Sequence, residues 1–473
     1  MKKKVVSALL CATMVATMFA GCGSKESDNN ASTPDTSKAD TSSEVSEPAE
    51  DTGKVLNIYC WNEEFKSRIT AHYPDYKEVD ATHGKIGDVD VVWNITPNDD
   101  NAYQNNLDAT LLNQADAPAD DKIDLFLVEA DYALKYVDTD YTMPIKDLGI
   151  TDDDLSKQYQ YTKDIVTDSK GVLKGLSWQG CPGVLFYNRD AAKEVLGTDD
   201  PDKVQEALST WDKFNAVAEK AAAKGYKMLS GYDDSYRVFS NNVSAPWVDS
   251  NNKIVIDPNI MKWVDQTKTF TDKGYNNKTS LWDTTWASDQ GPKGKVFGFF
   301  YSTWGINFTL LGNSLEKPVA EGGKEEVGNG IYGDYAVCQG PQSYYWGGTW
   351  LCAAAGTDNP NLIKEIMKTL TCDKTTEVQI TKDTQDYTNT ISGMNELANS
   401  DFKSDFLGGQ NHIKLFAQAA PKINMKNISA YDQGLNEEFQ KAMKDYFDGH
   451  VTKEQALDNF YDKAHVKYPN LSK

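Results

Sequence analysis

Beyond about position 54, short apolar runs alternate with longer amphipathic or polar segments. The apolar runs are rich in β-branched and aromatic residues, which favour strands. Strands are predicted over Val55–Cys60, Asp88–Trp93, Ile123–Val128 and Val184–Tyr187. Strands that alternate with helical segments are typical of α/β proteins with parallel strands. The pattern therefore predicts an α/β fold in which these strands run parallel.

The clearest helical pattern lies between Thr210 and Gly225. Thr210 suits an N-cap, Phe214, Val217 and Ala218 recur on one helical face, and glycine is a common helix terminator. Further helices are predicted over Asn361–Leu370, Ile428–Phe447 and Lys453–Ala464. The last part of the chain is therefore expected to be mainly helical.

The first 21 residues have the pattern of a secretory signal peptide. Three lysines at positions 2–4 precede an apolar stretch from Val5 to Ala20. This stretch is short for a membrane span, and a polar, acidic segment follows it, so a cleaved leader over residues 1–21 is predicted. The mature protein is therefore expected to be exported.

The residues around Cys22 predict a membrane anchor. Phe19-Ala20-Gly21-Cys22 resembles the bacterial lipobox, whose cysteine becomes the lipidated first residue of the mature chain. Residues 22–53 contain too few apolar side chains to form a packed core, so they predict a disordered tether. We expect lipid anchoring to the outer face of the cytoplasmic membrane, with an ordinary secreted protein as the alternative.

Charge and cysteine content argue against several classes of protein. The formal net charge of -22 repels phosphate backbones, so nucleic-acid binding is not expected. The cysteines after Cys22 show no C-x-x-C spacing, which argues against a zinc site or a disulfide framework. Buried free thiols are expected, and a bridge between Cys338 and Cys352 on neighbouring strands is the alternative.

A glycine-rich motif and an acidic run lack the sequence context that a nucleotide site or a calcium loop requires. Gly328, Gly330 and Gly333 form G-x-G-x-x-G, but no predicted strand precedes them and no helix begins there, so a loop is predicted. The acidic run at residues 152–154 lacks the ligand spacing of a calcium loop and suits the start of a helix. No cofactor or metal is therefore expected.

Little in the sequence indicates catalysis, whereas aromatic residues are abundant. None of the five histidines forms a metal-ligand pair at helical spacing, and no G-x-S-x-G is present. Abundant carboxylates leave a glycoside hydrolase as an alternative. Several of the eleven tryptophans follow strand-like runs or lie in turn-like segments. These are Trp61, Trp178, Trp247, Trp282, Trp286, Trp304, Trp346 and Trp350.

Aromatic rings mixed with carboxylates and amides suit a sugar ligand. A pyranose presents an apolar C–H face that a flat ring covers, and its hydroxyl rim needs hydrogen-bond partners such as Asp, Glu, Asn and Gln. Large aromatics that fill a core explain the same composition, so each ring also has a structural interpretation.

The chain from Val55 to Leu471 resembles the extracellular solute-binding proteins of carbohydrate ABC importers, the maltose-binding-protein-like family. Separate blocks agree with the family in order and spacing, although the family more often has Pro at Ser177 and Lys at Arg189. The blocks are Ile123–Tyr132, Gly171–Leu176, Leu185–Asp190, Thr210–Phe214, Gly294–Gly305, Tyr345–Gly348 and Phe406–Gln410.

The resemblance implies a two-lobed periplasmic-binding-protein-like fold with a hinge and a ligand cleft between the lobes. The first lobe would comprise residues 54–182 and 341–386, and the second residues 183–340 and 387–473. Crossings are expected near Cys181–Gly183, Ala336–Pro341 and Gln385–Thr388. The resemblance implies a monomer that captures an oligosaccharide for the permease subunits of an ABC transporter and does no chemistry. A peptide or polyamine ligand is the alternative.

The resemblance also implies a set of ligand-binding residues, with Trp304 and Trp346 as stacking rings. The set comprises Trp61, Asn62 and Glu63 after the first strand, Glu129, Asp131 and Tyr132 after the third, Trp178 and Gln179 at the hinge, and Tyr232, Tyr236, Trp304, Trp346, Tyr431 and Asp432. For each of them a role as cap, core residue or solvated turn is the alternative.

Overall fold

The computed structural model describes residues 48–473. The predicted signal peptide, the predicted lipidation site at Cys22 and most of the predicted tether lie outside the described residues. Across residues 48–473, no helix combines the length and hydrophobicity that spanning a bilayer requires.

Within this part of the chain, ten strands form two separate sheets. The strands are β1 Val55–Cys60, β2 Tyr76–Glu78, β3 His83–Ile86, β4 Val89–Ile95, β5 Leu125–Glu129, β6 Pro182–Asn188, β7 Gly298–Ser302, β8 Tyr335–Cys338, β9 Tyr344–Tyr345 and β10 Thr349–Ala353. The two sheets confirm the predicted α/β class and the two-lobed architecture.

Residues 48–473 also form eighteen α-helices, which pack around the sheets. They are α1 Glu64–His72, α2 Ala102–Leu111, α3 Ala133–Val137, α4 Asp152–Leu155, α5 Gln160–Asp164, α6 Arg189–Leu196, α7 Pro201–Leu208, α8 Trp211–Ala223, α9 Tyr236–Ser240, α10 Pro258–Asp272, α11 Thr284–Asp289, α12 Leu311–Ser314, α13 Pro360–Thr371, α14 Lys374–Thr384, α15 Ile391–Ala398, α16 His412–Ala419, α17 Asp432–Phe447 and α18 Lys453–Lys467. The helices predicted in the last part of the chain are confirmed, with α17 beginning later than expected.

The first sheet has the strand order β10-β5-β1-β4-β3-β2. Its central strand β1 is parallel to both β4 and β5, as predicted. Strand β5 is buried on both faces: Leu125 and Leu127 enter one apolar core, and Phe126 and Val128 enter the other. Burial on both faces explains why this strand is a continuous apolar run in the sequence.

The second sheet is antiparallel throughout, which corrects the prediction of parallel strands for this part of the chain. Its strand β6 pairs with β7, β8 and β9, in each case antiparallel. An apolar run predicts that a strand forms, but the path of the chain between strands sets their relative direction. The run at Val184–Tyr187 therefore predicted the position of β6 correctly. The predicted parallel direction of its pairing was wrong.

Three crossings connect the lobes within residues 48–473. The segments around Gly180 and Tyr387 run side by side, and the Gly180 N–H donates to the Tyr387 carbonyl at 2.8 Å. The third crossing lies at residues 346–348, between β9 in the second sheet and β10 in the first. It was expected near Ala336–Pro341, but Tyr344–Tyr345 still pair with β6, so the chain leaves the second lobe later.

Residues 48–53, predicted as tether, pack on the first lobe. The Asp51 carboxylate accepts the backbone N–H groups of Asn361 and Leu362 at 2.7 and 3.0 Å, which caps the first turn of α13. The N–H groups of Thr52 and Gly53 both donate to the Asp358 carbonyl. These residues therefore belong to the folded part, which an acidic and polar composition alone does not indicate.

The cysteines that the structure describes are free thiols, as expected. Cys338 lies on β8 in the second sheet and Cys352 on β10 in the first, which corrects the alternative of a bridge between neighbouring strands. The loop predicted at Gly328, Gly330 and Gly333 is also confirmed, because all three have positive φ angles outside helices and strands.

Candidate functional site

The two lobes meet at an ion pair between Asp131 and Arg237. Asp131 follows β5 in the first lobe, and Arg237 lies on α9 in the second. The guanidinium donates to both carboxylate oxygens, with 2.6 Å between Nη1 and Oδ1. About one fifth of each side chain is exposed, 19% for Arg237 and 21% for Asp131. This bidentate pair holds the lobes together at their junction.

Two further carboxylates flank the same guanidinium. Glu129 accepts the Asp131 N–H at 2.7 Å; burial, together with the charge of Asp131, raises the pKa of Glu129 to about 8 against the opposing effect of Arg237. Asp432, the first residue of α17, accepts the N–H and hydroxyl of Ser429, and burial raises its pKa to about 7. The junction therefore holds more carboxylates than cations.

The lobes are in direct contact in this conformation. Asp131 and Arg237 also line a cavity of about 50 Å³, and most of its other lining residues belong to the second lobe. The lobes are also joined by the Gln433 side chain, which lies 3.1 Å from Gln104 and 3.1 Å from Asn101. The structure is thus a closed conformation, and a ligand must enter when the lobes separate.

Aromatic rings cover the neighbouring part of the junction. Trp304 follows β7, is half-buried, and donates from Nε1 to the Trp346 carbonyl at 2.9 Å. The two indoles meet edge to face with centroids 5.0 Å apart, and Tyr301 stacks on Trp346 at 5.5 Å. At Gly347, φ is +74° and a Cβ atom would lie 2.9 Å from Trp304 Nε1, so glycine permits this close approach.

Trp282 and Phe308 extend this cluster into solvent. Trp282 lies nearly parallel to Trp304, with centroids 6.1 Å apart, and Phe308 lies edge-on to both. Trp282 is 55% exposed and Phe308 57% exposed. Neither residue is among the predicted ligand-binding residues, although Phe308 follows Trp304 at the four-residue spacing of helical neighbours.

Trp61 and Tyr132 form an aromatic wall on the first lobe. Trp61 is half-buried, 5.6 Å from Tyr103 and 6.2 Å from Tyr132 between ring centroids. The Tyr132 hydroxyl is buried and has no hydrogen-bond partner among residues 48–473. Because Tyr132 directly follows Asp131, the wall adjoins the ion pair that joins the lobes.

This arrangement can hold a solute by stacking and hydrogen bonding. Among the described residues, no group of three or more His, Cys, Asp or Glu side chains could hold a metal ion. A family model described as bacterial extracellular solute-binding protein matches residues 81–406, more than half of the chain. The chain belongs to this family. It is a solute-binding protein and not an enzyme.

Solved structures of other binding proteins share the fold of this solute-binding protein. A crystal structure of an extracellular solute-binding protein of family 1 aligns with a TM-score of 0.67 and 15% identity over 87% of this chain and 99% of that chain. An ABC transporter associated binding protein from B. animalis subsp. lactis Bl-04, in complex with beta-1,6-galactobiose, aligns with a TM-score of 0.65 and 14% identity. The alignment covers 89% of this chain and 100% of that chain.

A third similar structure is the galacto-N-biose-/lacto-N-biose I-binding protein from Bifidobacterium longum in complex with lacto-N-biose. It aligns with a TM-score of 0.63 and 14% identity, covering 90% of this chain and 98% of that chain. The comparison with curated protein sequences gives no match.

At the hinge of this solute-binding protein, the predicted residues are engaged with protein groups. Gln179 is buried, donates to Glu64 at 3.1 Å and Asp386 at 2.7 Å, and accepts the Thr349 N–H. Trp178 is fully buried and stacks on Phe65 with centroids 5.5 Å apart. In this conformation neither side chain presents a free surface to a ligand.

Of the residues after β1, some face solvent and others contact the hinge. Asn62 accepts the Glu64 N–H at 3.0 Å, and Glu63 is exposed. The neighbouring Glu64, which the sequence analysis did not select, is the carboxylate that reaches Gln179 and Arg68. Burial raises the pKa of Glu64, and the nearby Arg68 opposes this effect.

The remaining predicted tyrosines bond to neighbouring side chains on the second lobe. Tyr232 is buried and donates to Asp448 at 2.6 Å, and Tyr236 is buried and donates to Asn436. Tyr431 is half-buried, packs edge-on against Tyr468, and accepts a hydrogen bond from Asn470. The junction thus brings together Glu129, Asp131 and Asp432, with Tyr236 beside them, and Trp304 and Trp346 pack on each other.

Proposed function

We propose that this solute-binding protein acts as a monomer that captures an oligosaccharide between its lobes and delivers it to the permease subunits of an ABC importer. The observation that carries the proposal is that carboxylates and indole rings lie in neighbouring parts of the lobe junction. Tyr345 lines the cavity beside Asp131 and Arg237, and the next residue, Trp346, packs on Trp304.

This arrangement matches the two surfaces of a sugar. Exposed and half-buried indoles cover the apolar C–H face of a pyranose, and carboxyl groups form hydrogen bonds with its hydroxyl groups. The similar structures from B. animalis and Bifidobacterium longum contain beta-1,6-galactobiose and lacto-N-biose, which supports a sugar as the ligand of this fold.

A polyamine is the second candidate ligand. Glu129, Asp131 and Asp432 face a single guanidinium, that of Arg237, and an excess of carboxylates favours a cationic solute. The exposed rings of Trp282 and Phe308 favour sugar over polyamine, because stacked rings cover an apolar face that a linear amine lacks.

The ligand class is tested by a melting-temperature panel of mono- and oligosaccharides, peptides and polyamines on the purified protein. We expect an oligosaccharide to raise the melting temperature, because a ligand that binds only the native state stabilises it by about 2.7 kcal/mol at one hundred times its Kd. A shift with polyamines or peptides and none with sugars would overturn the proposed oligosaccharide ligand.

We further propose that the chain is exported and lipid-anchored through Cys22, on the sequence pattern of residues 1–22. We expect Cys22→Ser to remove the anchor, so that processed protein appears in the medium or unprocessed precursor accumulates. Sugar affinity should stay unchanged, because the tether separates the anchor from the lobes. Cell fractionation gives the readout, and a processed Cys22→Ser protein that stays on the membrane would contradict the proposal.

A further inference from the structure

Trp282 and Phe308 form an open corner of aromatic rings beside the lobe junction. The Trp282 and Trp304 planes differ by 24°, whereas the Phe308 ring stands at 78° to Trp282 and at 73° to Trp304. More than half of the Trp282 and Phe308 side chains is in contact with solvent. Two large apolar rings held together in water are a common feature of binding surfaces.

The backbone under both rings departs from regular structure. Trp282 has φ +73°, in the left-handed region that side chains rarely adopt. Phe308 lies on a π-helical turn, Ile306–Leu310, an uncommon element that is frequent at functional sites. Both irregular segments place rings in solvent, so core packing does not account for these conformations.

The corner is continuous with the proposed ligand site. Trp282 lies 6.1 Å from Trp304 and 6.3 Å from Trp346, measured between ring centroids. Trp346 lies on the third crossing between the lobes, directly after strand β9. A chain of rings therefore leads from this crossing through Trp304 to the surface of the second lobe.

A hydrogen-bond acceptor accompanies the corner. The Asp233 carboxylate accepts the N–H of Leu281, the residue before Trp282, at 3.4 Å, which places it at the base of the Trp282 loop. Burial, together with the neighbouring Asp234, raises the pKa of Asp233 to about 7. The Asp233 carboxyl group therefore supports the Trp282 loop through its contact with Leu281.

We infer that Trp282 and Phe308 form an outer subsite for one further sugar ring, so that the protein prefers oligosaccharides longer than the closed lobes enclose. The inference rests on the proposed function. The lobes are in contact at Asp131 and Arg237, whereas the corner stays exposed in the closed conformation. A sugar chain whose inner part is enclosed would thus keep its outer ring stacked at the surface.

The test is calorimetric titration with malto-, cello-, manno- and xylo-oligosaccharides, each from disaccharide to hexasaccharide. We expect the affinity of the unmodified protein to rise with length in the series that binds. Trp282→Ala should weaken binding of the long members about tenfold, as expected for the loss of one buried apolar contact, and leave the disaccharide unchanged. Trp282→Phe should retain most of the rise in affinity with sugar length, because it keeps a flat ring.

Val327→Ala is the matched control, since Val327 is an exposed apolar residue of the second lobe and should alter no affinity. If Trp282→Ala loses the same affinity for short and long sugars, Trp282 has a structural role. That result would overturn the inference and leave the proposed function standing. An unmodified protein that binds sugars without any length preference would also overturn it. If no series binds, the proposed function fails first, and the inference fails with it.

Discussion

Replacing Trp304 by alanine is expected to weaken sugar binding about ten- to hundredfold. The half-buried indole adjoins both the outer rings and Trp346, so its loss removes a stacking surface at the centre of the aromatic chain. Transfer of a large apolar side chain from water is worth roughly 1.5–3 kcal/mol, which corresponds to that range of affinity. The change in affinity is measured by calorimetry with the sugar that the melting-temperature panel identifies.

A stability measurement separates this role from core packing. Trp263 is fully buried in the same lobe and donates to the Tyr232 carbonyl at 3.2 Å, so Trp263→Ala should lower the free energy of unfolding by about 3–5 kcal/mol. Trp304→Ala should lower it less, because part of the ring already contacts water. Full sugar affinity together with a core-like stability loss would make Trp304 a structural residue.

Replacing Arg237 by glutamine is expected to open the lobes in the absence of ligand. The change removes the bidentate, charge-assisted hydrogen bonds between the lobes and leaves the Asp131 carboxylate without its cation. Hydrogen bonds to charged groups contribute about 1.5–3 kcal/mol, enough to change the ratio of closed to open molecules about tenfold or more. Small-angle scattering should show a larger radius of gyration.

The control for this change is an ion pair away from the junction. Lys453 and Asp265 form a partly exposed pair within the second lobe with 2.7 Å between nitrogen and oxygen, so Lys453→Gln should leave the radius unchanged. Saturating sugar should return Arg237→Gln to the compact radius, because a ligand that contacts both lobes selects the closed state. An unchanged radius of ligand-free Arg237→Gln would show that the amide contacts of Gln433 suffice for closure.

Several features were predictable because they depend on neighbours in the chain. The apolar run Val55–Cys60 is β1 itself, and Thr210 caps α8 by accepting the Lys213 N–H. The blocks that resemble the family predicted the two-lobed fold. They also selected Asp131, Trp304 and Trp346 as ligand-binding residues. Local propensity, capping and periodicity act within a few residues, so the sequence shows them directly.

Tertiary structure alone decided the partners of the site residues. Whether Glu63 or Glu64 reaches the hinge depends on how α1 begins, and the burial of Trp178 depends on Phe65 packing against it. Arg237 meets Asp131 only because two lobes close on each other. The sequence by itself thus determined most of the elements and the fold, and it predicted the residues of the binding site. Contacts between residues distant in the chain follow from packing and desolvation, which local patterns do not record.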